Sequence, residues 1–155
     1  MAGAIIVVAG FAAACSGAAT APPAASASAA SPAASAGVPA AGGPVVMTAT
    51  VGTQGTLVVA SSNGMTVYTF AKDVANSGTS ACTGGCLTKW PALTVPAGST
   101  PAGASDVTGK LGTITRADDG SAQVTYNGLP LYFYSGDKAP GDSNGIYTNW
   151  VAVKP

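Results

Sequence analysis

Glutamate and histidine are missing altogether from this 155-residue chain, and charged residues of any kind make up only 8 %, cancelling to zero net charge. Without histidine the commonest transition-metal ligand and the commonest general base are gone, which excludes hydrolytic zinc chemistry, haem ligation through imidazole and a Ser-His-Asp triad. With no surplus of positive charge there is no basic patch for nucleic acid and no polybasic stripe for a membrane surface. All six acidic residues are aspartates, which favour turns because their short side chains compete for nearby backbone groups. Long helix-forming runs are scarce after residue 45, and glycine with proline makes up about a fifth of the chain. The folded part therefore reads as strand and turn.

What the chain does have is a hairpin written twice. Ser62-Asn63-Gly64-Met65-Thr66-Val67-Tyr68-Thr69-Phe70-Ala71-Lys72-Asp73 returns as Tyr126-Asn127-Gly128-Leu129-Pro130-Leu131-Tyr132-Phe133-Tyr134-Ser135-Gly136-Asp137. Asn63, Gly64, Tyr68, Phe70 and Asp73 recur 64 positions later as Asn127, Gly128, Tyr132, Tyr134 and Asp137. Five matches in one register mark a duplication. Asn-Gly supplies the two positive φ values of a type I′ turn. A two-residue turn at Asn63-Gly64 would set Val59 opposite Tyr68, Leu57 opposite Phe70 and Ala60 opposite Val67. The same turn at Asn127-Gly128 sets Tyr126 opposite Leu129, Val124 opposite Leu131 and Ala122 opposite Phe133 on a core face, with Gln123–Tyr132 and Thr125–Pro130 on the other.

Each hairpin is preceded by a strand, Met47 to Val51 or Leu111 to Arg116, and followed by a tryptophan with an apolar alternation, Trp90 to Val95 or Trp150 to Val153. A four-stranded unit, about 46–95 and 110–155, is thus used twice, with residues 96–109 as the linker. Four strands alone bury too little apolar surface to be secure, so the expected fold is all-β: two four-stranded units packed as a pseudo-symmetric sandwich or flattened barrel.

Ahead of this β-domain at 46–155 come two segments of different character. Ala4 to Ala14 is too short an apolar run to span a bilayer, which needs about 20 residues. It reads as the core of a signal peptide over 1–15, and the small residues before Cys15 have the form of a bacterial lipobox in which that cysteine is lipidated. Ala12 stands where leucine is usual, and no Lys or Arg precedes the run. The alternative is an ordinary cleaved signal and a secreted protein. Residues 16–45 are almost entirely Ala, Ser, Pro, Gly and Thr, interrupted by Pro22, Pro23, Pro32, Pro39 and Pro44. They cannot bury enough side chain to offset ordering entropy and read as a tether.

Cys82 and Cys86, four apart in an exported chain, most simply form a disulfide closing a Gly-rich loop, with a redox-active pair as the sharper alternative. The second unit has Asp137, Asp142 and Asn144 in the corresponding loop. Calcium would need an acidic bidentate ligand at the loop's end, which is missing, and Lys138 sits inside it, so turn chemistry is the reading and no metal is expected. Tyr68 with Phe70, and Tyr132 with Tyr134, lie two apart and share a strand face, with Trp90 and Trp150 available nearby. They read either as a platform for a sugar, a quinone or a partner's side chain, or as filling between sheets. Asp73 and Asp137, as equivalent members of a repeat, have no reason to differ in pKa and so make a poor acid and base pair.

Tyr-x-aromatic-x-x-Asp twice, with Ser-x-Cys-x-x-x-Cys-x-x-x-Trp-Pro after the first copy and Asn-Gly-x-Pro-Leu-Tyr opening the second, resembles the bacterial secreted-repeat lipoproteins named for their Yx(FWY)xxD motif. The resemblance covers residues 55–155. It implies location and repeat architecture, and its members are described as predicted lipoproteins without an established activity. Leu129 stands where they often carry a histidine. The expectation is a non-enzymatic, membrane-tethered extracytoplasmic lipoprotein, a binding or cell-envelope structural module. It needs no cofactor, takes no nucleic acid, and has the membrane and an envelope protein or glycan as partners. The alternative is an accessory component of an envelope electron-transfer or metal-handling system.

Overall fold

A computed structural model describes residues 42–155 of the chain. The signal peptide, Cys15 and nearly all of the tether lie outside the described residues. Strand β1 (Val46–Val51) turns through a 3-10 segment, Gly52–Gln54, into β2 (Gly55–Ala60), and the two pair antiparallel along their whole length, from Val46 opposite Ala60 to Val51 opposite Gly55. β3 (Tyr68–Phe70), a single helical turn α1 (Cys86–Lys89) and β4 (Thr94–Val95) complete the first repeat. The second holds β5 (Leu111–Thr115), β6 (Ala122–Tyr126), β7 (Leu129–Pro130) and β8 (Trp150–Ala152). The fold is all-β with two repeats packed on one another, as expected. The valine and threonine runs form the strands, and Gly, Asn and Asp mark the turns between them.

The repeats also trade strands. β8 of the second repeat pairs with β3 of the first, Trp150 opposite Phe70 and Ala152 opposite Tyr68. Its counterpart in the first repeat, Ala92 with β4, pairs with Tyr132 and β6 of the second. The hydrogen bonds match in pairs: Val58 N–H to Val153 O and Val124 N–H to Leu93 O, both 2.8 Å; Val153 N–H to Val67 O and Leu93 N–H to Leu131 O, both 3.0 Å. At the centre Tyr68 and Tyr132 donate to each other's carbonyls, at 2.8 and 2.9 Å. A local twofold axis passes between them.

One core cluster lies between the repeats, joining Val46, Val58, Ala60 and Val67 to Val124, Tyr126, Leu131 and Phe133. The other gathers Leu57, Val59, Tyr68, Cys82, Trp90, Tyr132 and Trp150. The face of the second hairpin left outside the predicted core is therefore also buried, through Gln123, Thr125, Pro130 and Tyr132. The traded strand β4 lies along one edge of β6 and its own repeat's β5 along the other.

Two further expectations are corrected. The second hairpin turns on two residues, with Asn127 at φ 51° and Gly128 at 82°, and Tyr126 pairs with Leu129 as the type I′ geometry requires. The first does not. There Val59 pairs with Thr66, not Tyr68, and Ala60 N–H donates to Met65 O, leaving Ser61 to Gly64 as a four-residue turn. The Asn63 side chain accepts the Met65 N–H at 3.0 Å, an Asx turn that keeps Asn63 itself out of the left-handed region. Two extra residues are thus absorbed in the loop. Residues 96–109 are more than a linker: Val45 N–H donates to Ala102 O, Ala104 N–H to Val46 O, and Thr48 Oγ1 to Asp106. Their small side chains let the segment lie against the outer edge of β1, and Val45 is already buried with the core.

Candidate functional site

The repeated motif assembles across the twofold axis. Strands β3 and Leu131–Phe133 run side by side, so Tyr68 and Tyr132 project past one another, each toward the loop that ends the other repeat's motif. The Tyr68 hydroxyl donates to Asp137 Oδ2 at 2.6 Å, and the Tyr132 hydroxyl to Asp73 Oδ2 at 2.7 Å. The remaining carboxylate oxygens hold their own loops: Asp73 Oδ1 accepts Ala81 N–H at 2.7 Å, and Asp137 Oδ1 accepts Asn144 N–H at 2.8 Å. Tyr68 Oη also accepts Gly145 N–H, while Tyr132 Oη lies 2.6 Å from Ser80 Oγ. Each aspartate is placed by a turn whose N–H returns to the carbonyl three residues back, Phe70 or Tyr134, at 3.0 Å. All four side chains are buried.

Burial, and then the hydrogen bond to a carboxylate with its negative charge, push both phenols well above the ordinary tyrosine range. A group whose proton is held more tightly in the folded state contributes its full stability below its unfolded value, about 10, and loses it as the pH rises beyond. We expect stability to fall steeply above about pH 10. Of the five tyrosines, Tyr68 and Tyr132 should ionise only with unfolding, in step with the loss of far-ultraviolet circular dichroism. Phenolate absorbance appearing for all five while the fold persists would contradict this.

The tryptophans stack on the same axis. Trp90 and Trp150 lie plane to plane, centroids 3.6 Å apart at 4°. Phe70 covers the far face of Trp150 at 4.3 Å, and Tyr134 tilts over Trp90 at 4.7 Å, each from the opposite repeat. Tyr68 and Tyr132 meet the indoles edge-on. Both tryptophans are buried, so this column fills the space between sheets and presents only its ends, Phe70 and Tyr134, at half-buried positions. At the Tyr134 end the surface continues: Tyr147, 48 % exposed, shares a 2.7 Å hydroxyl contact with Tyr134, and the Lys89 ammonium lies over both rings at 5.7 and 5.1 Å.

Cys82 and Cys86 are joined by a disulfide, Cα atoms 5.4 Å apart, and α1 starts at the second of them. Next to it is a residue the sequence reading missed. Arg116, buried, donates to Cys82 O at 2.7 Å and to Gln123 Oε1 at 2.6 Å, and forks onto both oxygens of Asp118 at 2.9 and 2.7 Å. That contact holds the Asp118 carboxyl below the usual range. The only advance signal was a charged residue at the end of an otherwise uncharged strand. In the loop considered for calcium, Asp142 Oδ2 accepts the Lys138 and Ala139 N–H groups, and both oxygens of Asp137 are engaged as described. Apart from the Tyr68 hydroxyl on Asp137, these are contacts within the loop's own turns.

A family model, Lipoprotein_15, described as a secreted repeat of unknown function, matches the chain twice, over residues 48–94 and again over 112–154. No curated protein and no solved structure matches it.

Proposed function

The chain belongs to this family of secreted repeats, whose place is outside the cytoplasm, and from that premise we propose that it is a membrane-tethered, non-enzymatic module that binds or supports cell-envelope components. The anchor is a lipid on Cys15. One observation carries the non-enzymatic part: all four carboxylate oxygens of the repeated motif, and the Tyr68 and Tyr132 phenols, are spent inside the fold, on the other repeat or on their own loops. A general acid or base must reach its substrate within hydrogen-bond distance, and Asp73 and Asp137 face only their own donors. The motif then serves to lock the halves together, and binding falls to the surface.

The anchor is tested by fractionating cells that express the full chain or its Cys15→Ser variant. The parent is expected in the detergent-extracted membrane fraction, open to protease from outside. The variant should be released in soluble form. A parent that is soluble without detergent, or a variant that stays with the membrane, would sink the lipid anchor.

A further inference from the structure

The two repeats are not chemically equal on their outer faces. Matching hydrogen bonds set Val58 equivalent to Val124, and Thr48–Val58 to Thr113–Val124 in register. On that basis Val51, Leu57 and Val59 of the first repeat correspond to Arg116, Gln123 and Thr125 of the second, and Met47 corresponds to Gly112. In the first repeat Met47 lies opposite Val59 and packs against the aromatic cluster. In the second the same place holds no side chain. A groove of about 270 Å³ opens there, lined by Gly112, Ile114, Thr125, Asn76, Gly128 and Lys110 among others. Its wall is fixed, because Asn76 N–H donates to Gly128 O at 3.0 Å, and a methyl group on Gly128 would collide with the Asn76 side chain.

We propose that this groove is a ligand site for a short unbranched apolar chain, of about the length of a methionine side chain, that carries an anionic head group. The tail takes the place that Met47 fills in the first repeat, over Gly112 and against Ile114. Thr125 and Asn76 offer polar contacts beside it, and the exposed Lys110 ammonium, which has no ion pair among the described residues, meets the anion. A methionine-ended peptide and a short fatty acid share this chemistry. The site deepens the binding role proposed above and is independent of the lipid anchor.

The test is a titration of the isotope-labelled full chain, carrying Cys15→Ser for solubility, with N-acetyl-methionine and with hexanoate, followed by amide chemical shifts. Saturable shifts confined to residues 76–78, 110–114, 125 and 128 are expected with at least one probe, and the better binder tells which source is meant. Gly112→Met, which restores the first repeat's arrangement, should abolish them. A methyl at Gly112 meets only the Thr125 hydroxyl, at 3.1 Å, so the variant should fold. Lys110→Ala should weaken binding about threefold, as loss of an exposed ion pair does. Should Gly112→Met fail to fold, nuclear Overhauser contacts from the probe's terminal methyl to Gly112 and Ile114 in the parent decide the matter. No saturable shift from either probe up to about 10 mM, a range that still detects binding of only a few kcal/mol, would overturn the proposal. So would shifts that survive in a folded Gly112→Met variant, or probe contacts elsewhere. If only the groove fails, the surface of Tyr134, Tyr147 and Lys89 keeps the binding role open.

Discussion

An Asp137→Ala variant is expected to lose about 3 kcal/mol of unfolding free energy, near the upper end for hydrogen bonds to a charged group. The carboxylate satisfies two donors at once, the Tyr68 hydroxyl and the Asn144 N–H. Alanine leaves the buried Tyr68 hydroxyl proton without its acceptor and releases the Asn144 N–H that anchors the loop. Tyr68→Phe keeps the ring between Trp90 and the core and should cost less, about 1 to 2 kcal/mol. The double variant should lose less than the two combined, since the pair shares one contact. The crossing makes a sharper claim. Although Asp137 is in the second repeat, its loss should loosen the first equally. Urea unfolding followed by tryptophan fluorescence and by far-ultraviolet circular dichroism should stay coincident in parent and variant. A variant that unfolds in two steps, one repeat surviving the other, would show that the crossed pairs do not bind the halves into one cooperative unit. Asp73→Ala, against Tyr132 and Ala81, should behave alike.

Trp150→Ala is expected to cost about 4 kcal/mol, in the range for truncating a buried aromatic. Its ring is stacked between Trp90 and Phe70 and met edge-on by Tyr132. For a domain of this size that is a fall in melting temperature of about 15 °C or more. Phe70→Ala, at the half-buried end of the column, should cost clearly less. Calorimetry gives the first comparison. Near-ultraviolet circular dichroism gives an independent one: two indoles 3.6 Å apart are coupled chromophores, so removing either should erase far more than half the tryptophan signal. If Trp150→Ala and Phe70→Ala cost the same, the column is not the centre of the fold.

The duplication, the Asn127-Gly128 turn, the disulfide and the all-β class are all legible in the residues, because each depends on neighbours in sequence or on a counted repeat. Which half pairs with which is not. A Tyr-x-aromatic-x-x-Asp spacing reads the same whether the phenol meets its own aspartate or its twin's. Only the short strand β3 settles it, by placing Tyr68 against Tyr132 rather than along its own loop. The first hairpin's register was hidden for another reason. Asn63 had two uses for its amide, a left-handed turn or an Asx turn, and the contact to Met65 N–H decided for the second. Arg116 could not be placed from sequence because, beside Asp118 and Gln123 of its own hairpin, it reaches Cys82 O in the other repeat's loop. Tyr147 and Lys89 lie outside the repeated pattern, and nothing in their spacing foretold that they meet over Tyr134.

The exchange of strands bears on ancestry. Half of this molecule, made alone, would have a tyrosine with no carboxylate to meet and a tryptophan strand with nothing of its own to lie against. A gene coding for one such half could have yielded a working protein only as an intertwined pair of identical subunits. Fusing two copies end to end would turn such an obligate dimer into one chain. It would also free the subunits from having to be identical, and the polar side chains that stand in the second half where the first has valine and leucine are what such a release permits.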